Sequence, residues 1–320
     1  MVKRFSRKFF LFFFLLSSTI SCTEKYNQTR IEKTGCVRIP LFYFPFAETA
    51  LAQIEIEGKK YSLLVDVGAN FYFSLQKKPL DEIKNKTLLD QTRGIDLKGN
   101  NYTEDIYKIE SIKISQITVE QVPVKEKSLG YILNSHNFSI LEFTERERRQ
   151  IEYIHGNIGN RFFENFVCFF DLNARSLFLA EDLENIKKIH SLEGFTEISF
   201  ESTPNGFVIF PVDTDFGNKR MLLDSGASHS ILNSSNQKQT KNIRYATSQT
   251  MKINNSNFGA WDFFPYEFTD RFPENFDAIL GVDFFKDHLI CIDYKNKKVY
   301  IKAHKKRFKK FWAKIQRYFY

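Results

Sequence analysis

The sequence predicts an all-β protein made of two similar halves. Short runs in which apolar and polar residues alternate are separated by turn residues through most of residues 37–303, a pattern typical of strands. Two different segments each recur once, in the same order, which indicates an internal duplication. Hydrophobic residues make up 42% of the 320 residues, a proportion that excludes a disordered chain.

The first repeated segment carries an Asp-x-Gly-Ala turn. Residues 58–75 read GKKYSLLVDVGANFYFSL, and residues 217–232 read GNKRMLLDSGASHSIL. Each combines a polar turn, an apolar strand, the Asp-x-Gly-Ala turn and a second apolar stretch. Asp66 and Asp224 hold the same position in the two copies.

The second repeated segment lies downstream in each half. Residues 155–179 match residues 277–301 at a constant offset of 122 positions, which aligns Gly159 with Gly281 and one Phe-Phe pair with the other. Chance can supply a single Asp-x-Gly turn, because Asp and Gly are ordinary turn residues. It rarely supplies two, each followed by the same second segment.

The remaining elements follow from local patterns, and they place one lobe at residues 37–185 and the other at residues 195–303. The polar stretch 181–196 is interpreted as the connector between the lobes. A short helix is predicted over residues 79–90. The predicted strands cover residues 53–57, 61–65, 107–114, 117–124, 166–170, 176–179, 289–293 and 298–301.

The paired aspartates predict general acid–base chemistry. The glycine that follows each Asp by two positions permits close backbone approach, and the alanine after it is small enough for another backbone segment to pack against. Two lobes that face each other would bring Asp66 and Asp224 together. Two carboxylates a few Å apart share one proton, so that one can act as a base toward water and the other as an acid toward a carbonyl group.

The two Asp-x-Gly-Ala turns, each followed by an Ile-Gly or Leu-Gly pair, resemble those of pepsin- and retropepsin-type aspartic peptidases. Residues 277–301 are especially similar to the C-terminal portion of retropepsin-like bacterial domains, and the whole resemblance covers residues 50–180 and 207–302. It implies two pseudo-symmetric β-barrel lobes with a central cleft, a peptide or protein substrate and no cofactor. Two lobes in one chain imply the pepsin arrangement, and therefore a monomer.

The resemblance also implies roles for individual residues. Asp66 and Asp224 would be catalytic, and a hairpin at residues 93–102 would cover the cleft as a flap. The residues that would support the catalytic loops are Gly68, Ala69, Ser225, Gly226, Ala227, Gly159 and Gly281.

The sequence departs from this family pattern in the first lobe. Ser225 keeps the hydroxyl that usually follows the catalytic Asp, whereas Val67 lacks it and is expected to leave a polar acceptor unpaired. Asn157 stands where the second lobe has Ile279. Two alternatives to an active endopeptidase therefore remain: a weak or inactive peptide-binding protein of the same fold, and a structural surface β protein in which the two aspartates lie far apart.

The two ends of the chain predict export and membrane attachment. Basic residues 3–8 precede an apolar run that ends at Cys22, and residues 19–22 resemble a bacterial lipobox, whose cysteine is acylated. A plain cleaved signal and an uncleaved anchor are the alternatives. Residues 305–320 predict a C-terminal basic amphipathic helix that suits an anionic membrane surface or packing on the protein's own body. The protein is thus expected on the periplasmic or cell-surface side of a membrane.

Charge and cysteine content exclude other classes. Of the net charge of +8, residues 3–8 carry +4 and residues 305–320 carry +7, so the remainder carries −3 and a nucleic-acid partner is not expected. Cys36, Cys168 and Cys291 remain after Cys22, and the last two are expected to be buried, inert thiols. The six His residues are scattered, and no metal site is expected.

Overall fold

The computed structural model describes residues 35–43, 49–95, 101–127, 153–234, 245–268 and 275–304. These ranges contain four short helices: α1 (Lys77–Asp81), α2 (Asn160–Phe163), α3 (Leu183–Lys187) and α4 (Val282–Asp287). The strands in the same ranges are β1 (Cys36–Tyr43), β2 (Ala50–Ile56), β3 (Lys59–Val65), β4 (Phe73–Gln76), β5 (Lys86–Ile95), β6 (Asn101–Ile114), β7 (Ile117–Lys127), β8 (Gly156–Ile158), β9 (Val167–Asp171), β10 (Ser176–Ala180), β11 (Thr196–Ser199), β12 (Glu201–Ser202), β13 (Val208–Thr214), β14 (Gly217–Leu223), β15 (Ile231–Asn233), β16 (Ala246–Ile253), β17 (Ser256–Tyr266), β18 (Ala278–Leu280), β19 (His288–Asp293) and β20 (Lys298–Ala303).

The first lobe is a six-stranded barrel within the described ranges. The strand order is β2-β3-β8-β4-β7-β6, and the barrel closes where Glu55 of β2 pairs with Lys113 of β6. β3 pairs with β8 in parallel, β8 with β4 antiparallel, and β4 with β7 in parallel. The parallel pairs bring the ends of β3 and β8 to the same edge of the barrel.

The second lobe repeats this topology strand for strand. Its order among the described residues is β13-β14-β18-β15-β17-β16, and β13 pairs with β16 to close the barrel. β14 pairs with β18 in parallel, β18 with β15 antiparallel, and β15 with β17 in parallel. The same pairing pattern in both lobes confirms the predicted all-β, two-lobed fold.

A third group of strands joins the lobes. β1, β10 and β9 of the first half continue through the pairing of β9 with β19 into β20 and β11 of the second half. Cys168 pairs with Ile292 and Phe169 with Cys291 along this junction. Through this pairing, the sheet of the first barrel continues into β19, β20 and β11 of the second half, whereas the second barrel forms a separate sheet.

Phenylalanine fills the core where the lobes meet. Phe162 and Phe163 of α2 and Phe284 and Phe285 of α4, the two Phe-Phe pairs of the repeat, are fully buried. The rings of Phe170 and Phe285 meet edge to face across the junction, with centroids 5.2 Å apart. Such aromatic pairs stabilise a core beyond their buried area.

The prediction that Cys168 and Cys291 are buried thiols is confirmed. Cys168 and Cys291 are buried, and Cys36 is half-buried. Burial is the first cause that raises the pKa of each of the three thiols above its usual value. A raised pKa keeps a thiol protonated and unreactive.

The helix predicted over residues 79–90 is wrong in length. Only Lys77–Asp81 is helical, and residues 86–95 form β5 instead. From Lys86, which pairs with Ile109, β5 runs antiparallel to β6. Pairing with a neighbouring strand therefore overrides the local pattern, and it leaves Leu88 and Leu89 exposed.

Several predictions fall partly or wholly outside the described residues. The flap predicted at residues 93–102 includes the ends of β5 and β6, which form a hairpin, but residues 96–100 lie outside the description. The export signal, Cys22 and the basic tail also lie outside it. Among the helices of the described ranges, none is long and apolar enough to cross a membrane.

Candidate active site

Asp66 lies on the turn that leaves β3 in the first lobe. Its backbone N–H donates to the carbonyl of Ile158 in β8 over 3.0 Å. The carbonyl of Ala69 accepts from the N–H of Asn160 at the start of α2, over 2.8 Å. The loop after Asp66 is therefore tied to the end of β8 on both sides, which gives the carboxylate a rigid position.

Asp224 occupies the equivalent turn of the second lobe. Its backbone N–H donates to the carbonyl of Leu280 over 3.0 Å, and the carbonyl of Ala227 accepts from the N–H of Val282 over 2.7 Å. These are the same two backbone hydrogen bonds as in the first lobe. The duplication seen in the sequence thus extends to the atoms that hold the two aspartates.

Two glycines let each loop approach the opposite carboxylate. A Cβ atom added to Gly68 would lie 2.2 Å from Cγ of Asp224, and one added to Gly226 would lie 2.5 Å from Cγ of Asp66. Neither separation is possible between real atoms. Any larger residue at these positions would drive the two lobes apart at the site.

Gly159 and Gly281 pack against the loops that follow Asp66 and Asp224. A Cβ atom on Gly159 would lie 2.2 Å from the carbonyl oxygen of Phe71, and one on Gly281 would lie 2.5 Å from that of His229. The backbone of each supporting glycine therefore packs directly on the loop that carries the aspartate.

The structure brings Asp66 and Asp224 together, and we call this pair the dyad. Both side chains are buried, and their carboxyl groups are hydrogen-bonded to each other. The N–H of Gly68 donates to Oδ1 of Asp66 over 3.2 Å, and the N–H of Gly226 donates to Oδ1 of Asp224 over 2.8 Å. This geometry contradicts the alternative of a structural surface β protein in which the two aspartates lie far apart.

The Ser225 hydroxyl crosses from the second lobe to the first. It donates to the carbonyl of Val65 over 2.8 Å and accepts from the N–H of Val67 over 3.1 Å. Val67 has no hydroxyl with which to return these bonds, so the connection is one-sided. The first-lobe loop is nevertheless fixed by the serine of its partner loop.

Asn157 and Lys127 are site residues that sequence reasoning missed. Asn157, at the centre of β8, donates from Nδ2 to Oδ2 of Asp66 over 2.7 Å. Its Oδ1 accepts from Nζ of Lys127, the last residue of β7, over 3.3 Å. The available signal was the polar Asn157 opposite Ile279 in the repeat, which we interpreted only as divergence.

The two carboxyl groups differ in their electrostatic environment. Burial, followed by the charge of Asp66, raises the pKa of Asp224 well above its usual value. Burial also raises the pKa of Asp66, but the positive charge of Lys127 and the hydrogen bond from Asn157 oppose that shift. Burial lowers the pKa of Lys127 to about 7, although Asp66 and Glu104 act in the opposite direction.

Other polar residues of the repeated segments have local roles. Asp171 accepts from the N–H of Ala174, and Asp293 accepts from the N–H of Asn296, so both begin turns. His229 Nδ1 lies 3.0 Å from the Ser228 hydroxyl. In the described ranges, no three His, Cys, Asp or Glu side chains are grouped so that they could hold a metal ion.

Comparison with known proteins supports the fold. The crystal structure of basic 7S globulin from soybean is similar to this chain with a TM-score of 0.54 and 10% identity, over 84% of this chain and 95% of that one. Neither protein-family models nor curated protein sequences match the chain. At this identity the likeness shows the fold alone: the chain has a bilobal, all-β, pepsin-like fold.

Proposed function

We propose that this protein is an aspartic endopeptidase that hydrolyses peptide bonds with a water molecule activated by the dyad. The observation that carries the proposal is the hydrogen-bonded pair of buried carboxyl groups, one from each lobe. Two such groups share one proton, because ionising both at once in a buried site would cost a large repulsive free energy. The pair therefore offers a base and an acid at one point.

The chemistry uses each carboxyl group twice. The ionised group takes a proton from water as the water oxygen bonds to the peptide carbonyl carbon, and the protonated group gives its proton to the carbonyl oxygen. When the tetrahedral intermediate collapses, the C–N bond breaks. The first group then gives its proton to the leaving nitrogen, and the second recovers a proton from a hydroxyl of the intermediate.

The substrate that fits this proposal is an extended peptide segment. The resemblance to pepsin-type peptidases favours apolar side chains on both sides of the cleaved bond. A single chain contributes both aspartates, so the proposal needs no second copy of the protein.

A peptide-library cleavage assay from acidic to neutral pH tests the function. We expect the wild-type protein to cut, and Asp66→Ala and Asp224→Ala to lose cleavage. Asp213→Asn is the matched control, because Asp213 is exposed on β13 and should be dispensable. Equal cleavage by the wild type and both alanine variants would refute the enzyme proposal.

Peptide binding without turnover is the second candidate, and the missing hydroxyl at Val67 favours it. On this hypothesis, peptides bind the wild type and Asp66→Asn equally well, and neither protein cuts them. Measuring both binding and cleavage of the library peptides separates the two candidates, because only an active peptidase cuts the peptides that it binds.

We also propose that the protein is exported and held at a membrane by a lipid on Cys22 and by the basic residues 305–320. Support comes from the sequence: an apolar run ends at Cys22, and the tail alternates basic and aromatic residues at helical spacing. Liposome flotation of a protein truncated after Ala303 tests the tail. Binding to anionic vesicles should weaken, and unchanged binding would count against this role.

A further inference from the structure

A chain of polar groups connects the dyad to Lys127 at the end of β7. Lys127 Nζ lies 3.3 Å from Asn157 Oδ1, and Asn157 Nδ2 lies 2.7 Å from Asp66 Oδ2. Asn157 is buried, and Lys127 is half-buried. The strands that carry them, β7 and β8, are held in place by their shared neighbour β4.

The chemistry of these groups fixes the direction of every hydrogen bond in the chain. A lysine ammonium group has donors and no acceptor, so the amide oxygen of Asn157 must face Lys127. The amide nitrogen must then face Asp66, and it can only donate. Oδ2 of Asp66 therefore has to accept this hydrogen bond. A proton on Oδ2 would point at the Asn157 donor, so the hydrogen bond favours the ionised form of Asp66 at this oxygen.

In the part of the second lobe that the structure describes, no side-chain amide donates to Asp224 as Asn157 donates to Asp66. The residue that matches Asn157 is Ile279, a buried apolar side chain. Oδ1 of Asp224 accepts from the N–H groups of Gly226 and Ala227. The dyad is thus asymmetric, because among the described residues only Asp66 has a side-chain amide donor linked to a cation.

We propose that Lys127, acting through Asn157, assigns the two roles in the dyad: Asp66 is the ionised base, and Asp224 is the proton-bearing acid. This inference rests on the proposed function for its catalytic meaning, although the protonation states themselves do not depend on turnover. Both residues are positioning residues, since they act on the substrate through Asp66.

The charges around Lys127 agree with this assignment. Glu104 of β6 and Asp66 favour its protonated form, whereas Lys125 of β7 opposes it. Lys125 is itself ion-paired with Glu104. The neighbour of Lys127 on β4 is the neutral Gln76. With its pKa at about 7, Lys127 is charged at acidic pH.

The first test is the pH dependence of kcat/KM. Removing the cation with Lys127→Met, or the bridge with Asn157→Leu, should move the acidic limb to higher pH by about one unit, because Asp66 then holds its proton more tightly. Lys127→Arg should keep the wild-type limb. Lys77→Met is the matched control, since Lys77 is an exposed lysine paired with Asp81.

The second test needs no turnover. In protein with 13C-labelled aspartate carboxyl groups, the Asp66 signal, identified by its loss in Asp66→Asn, should titrate at higher pH in Lys127→Met than in the wild type. If wild-type protein does not cleave peptides, the proposed function fails while this titration still decides the inference. If Lys127→Met does not fold, Lys127→Gln replaces it. An unshifted titration, or an equal shift in Lys77→Met, would overturn the proposal.

Discussion

At the scale of single residues, one hydroxyl group links the two loops that carry the aspartates. Ser225 satisfies both the carbonyl of Val65 and the N–H of Val67, and all three groups are buried. We expect Ser225→Ala to lower the free energy of unfolding by about 2–4 kcal/mol, because it leaves two buried polar groups without this partner. Urea denaturation measures the change, and a loss below about 0.5 kcal/mol would contradict it.

The converse substitution should repair the one-sided connection. In Val67→Thr the new hydroxyl would lie, by the symmetry of the loops, where it can bond the second-lobe backbone near Ser225. We expect a gain of about 1 kcal/mol in the free energy of unfolding. Destabilisation in the same urea experiment would show that the loops are not equivalent at this position.

The dyad itself is expected to cost stability at neutral pH. The pKa of Asp224 is raised in the folded protein relative to 3.8 in the unfolded chain. The favourable contribution of its protonated form is therefore complete below pH 3.8 and is lost as the pH rises through the folded-state pKa. Asp224→Asn should be more stable than the wild type at pH 7, and the difference should shrink toward pH 3. Thermal unfolding at both pH values checks this sign, and a difference independent of pH would contradict it.

At the scale of elements, the start of α2 must press against the catalytic loop. Gly159 has a φ of −91°, which any residue can adopt, yet a Cβ atom there would lie 2.2 Å from a backbone oxygen. We expect Gly159→Ala to cost about 3 kcal/mol through overpacking and to reduce peptide cleavage. The matched control is Gly58→Ala on the β2–β3 turn, where the space is open but φ is +76°. It should cost about 1 kcal/mol and leave cleavage unchanged.

His288, which follows α4 and begins β19, is a buried histidine that limits stability in acid. His288 stacks on Phe284 with ring centroids 4.1 Å apart, and burial lowers its pKa to about 4. Because the unfolded-state pKa is 6.5, the stability that depends on neutral His288 is lost as the pH falls from 6.5 toward 4. His288→Leu should reduce the slope of unfolding free energy in this window by up to about 1.4 kcal/mol per pH unit. Urea titrations at several pH values measure that slope, and an unchanged slope would contradict the expectation.

At the scale of the whole molecule, the duplication explains which features could be predicted from sequence. The pairing of Asp66 with Asp224 follows from two copies of one loop that face each other, because equivalent residues of two facing copies come together. The Phe-Phe pairs were predictable because each lies in a repeated apolar segment. These features depend on local sequence patterns that occur in both halves of the chain.

Features that depend on unrepeated contacts could not be predicted. Lys127 and Asn157 lie 30 positions apart and meet only because β4 brings β7 and β8 together. The helix predicted over residues 79–90 overlaps the start of β5, because local periodicity contains no information about the pairing of β5 with β6. In both cases a contact between distant segments decides the outcome.

The central claim is that the two aspartates act as one catalytic unit on one water molecule. The most direct measurement compares kcat/KM for the best library peptide among the wild type, Asp66→Asn, Asp224→Asn and the double variant. Each single variant should lose at least about a hundredfold, and the double variant should lose no more than the worse single, because either change already disables the unit. Wild-type rates in either single variant, or losses that multiply in the double, would contradict the account.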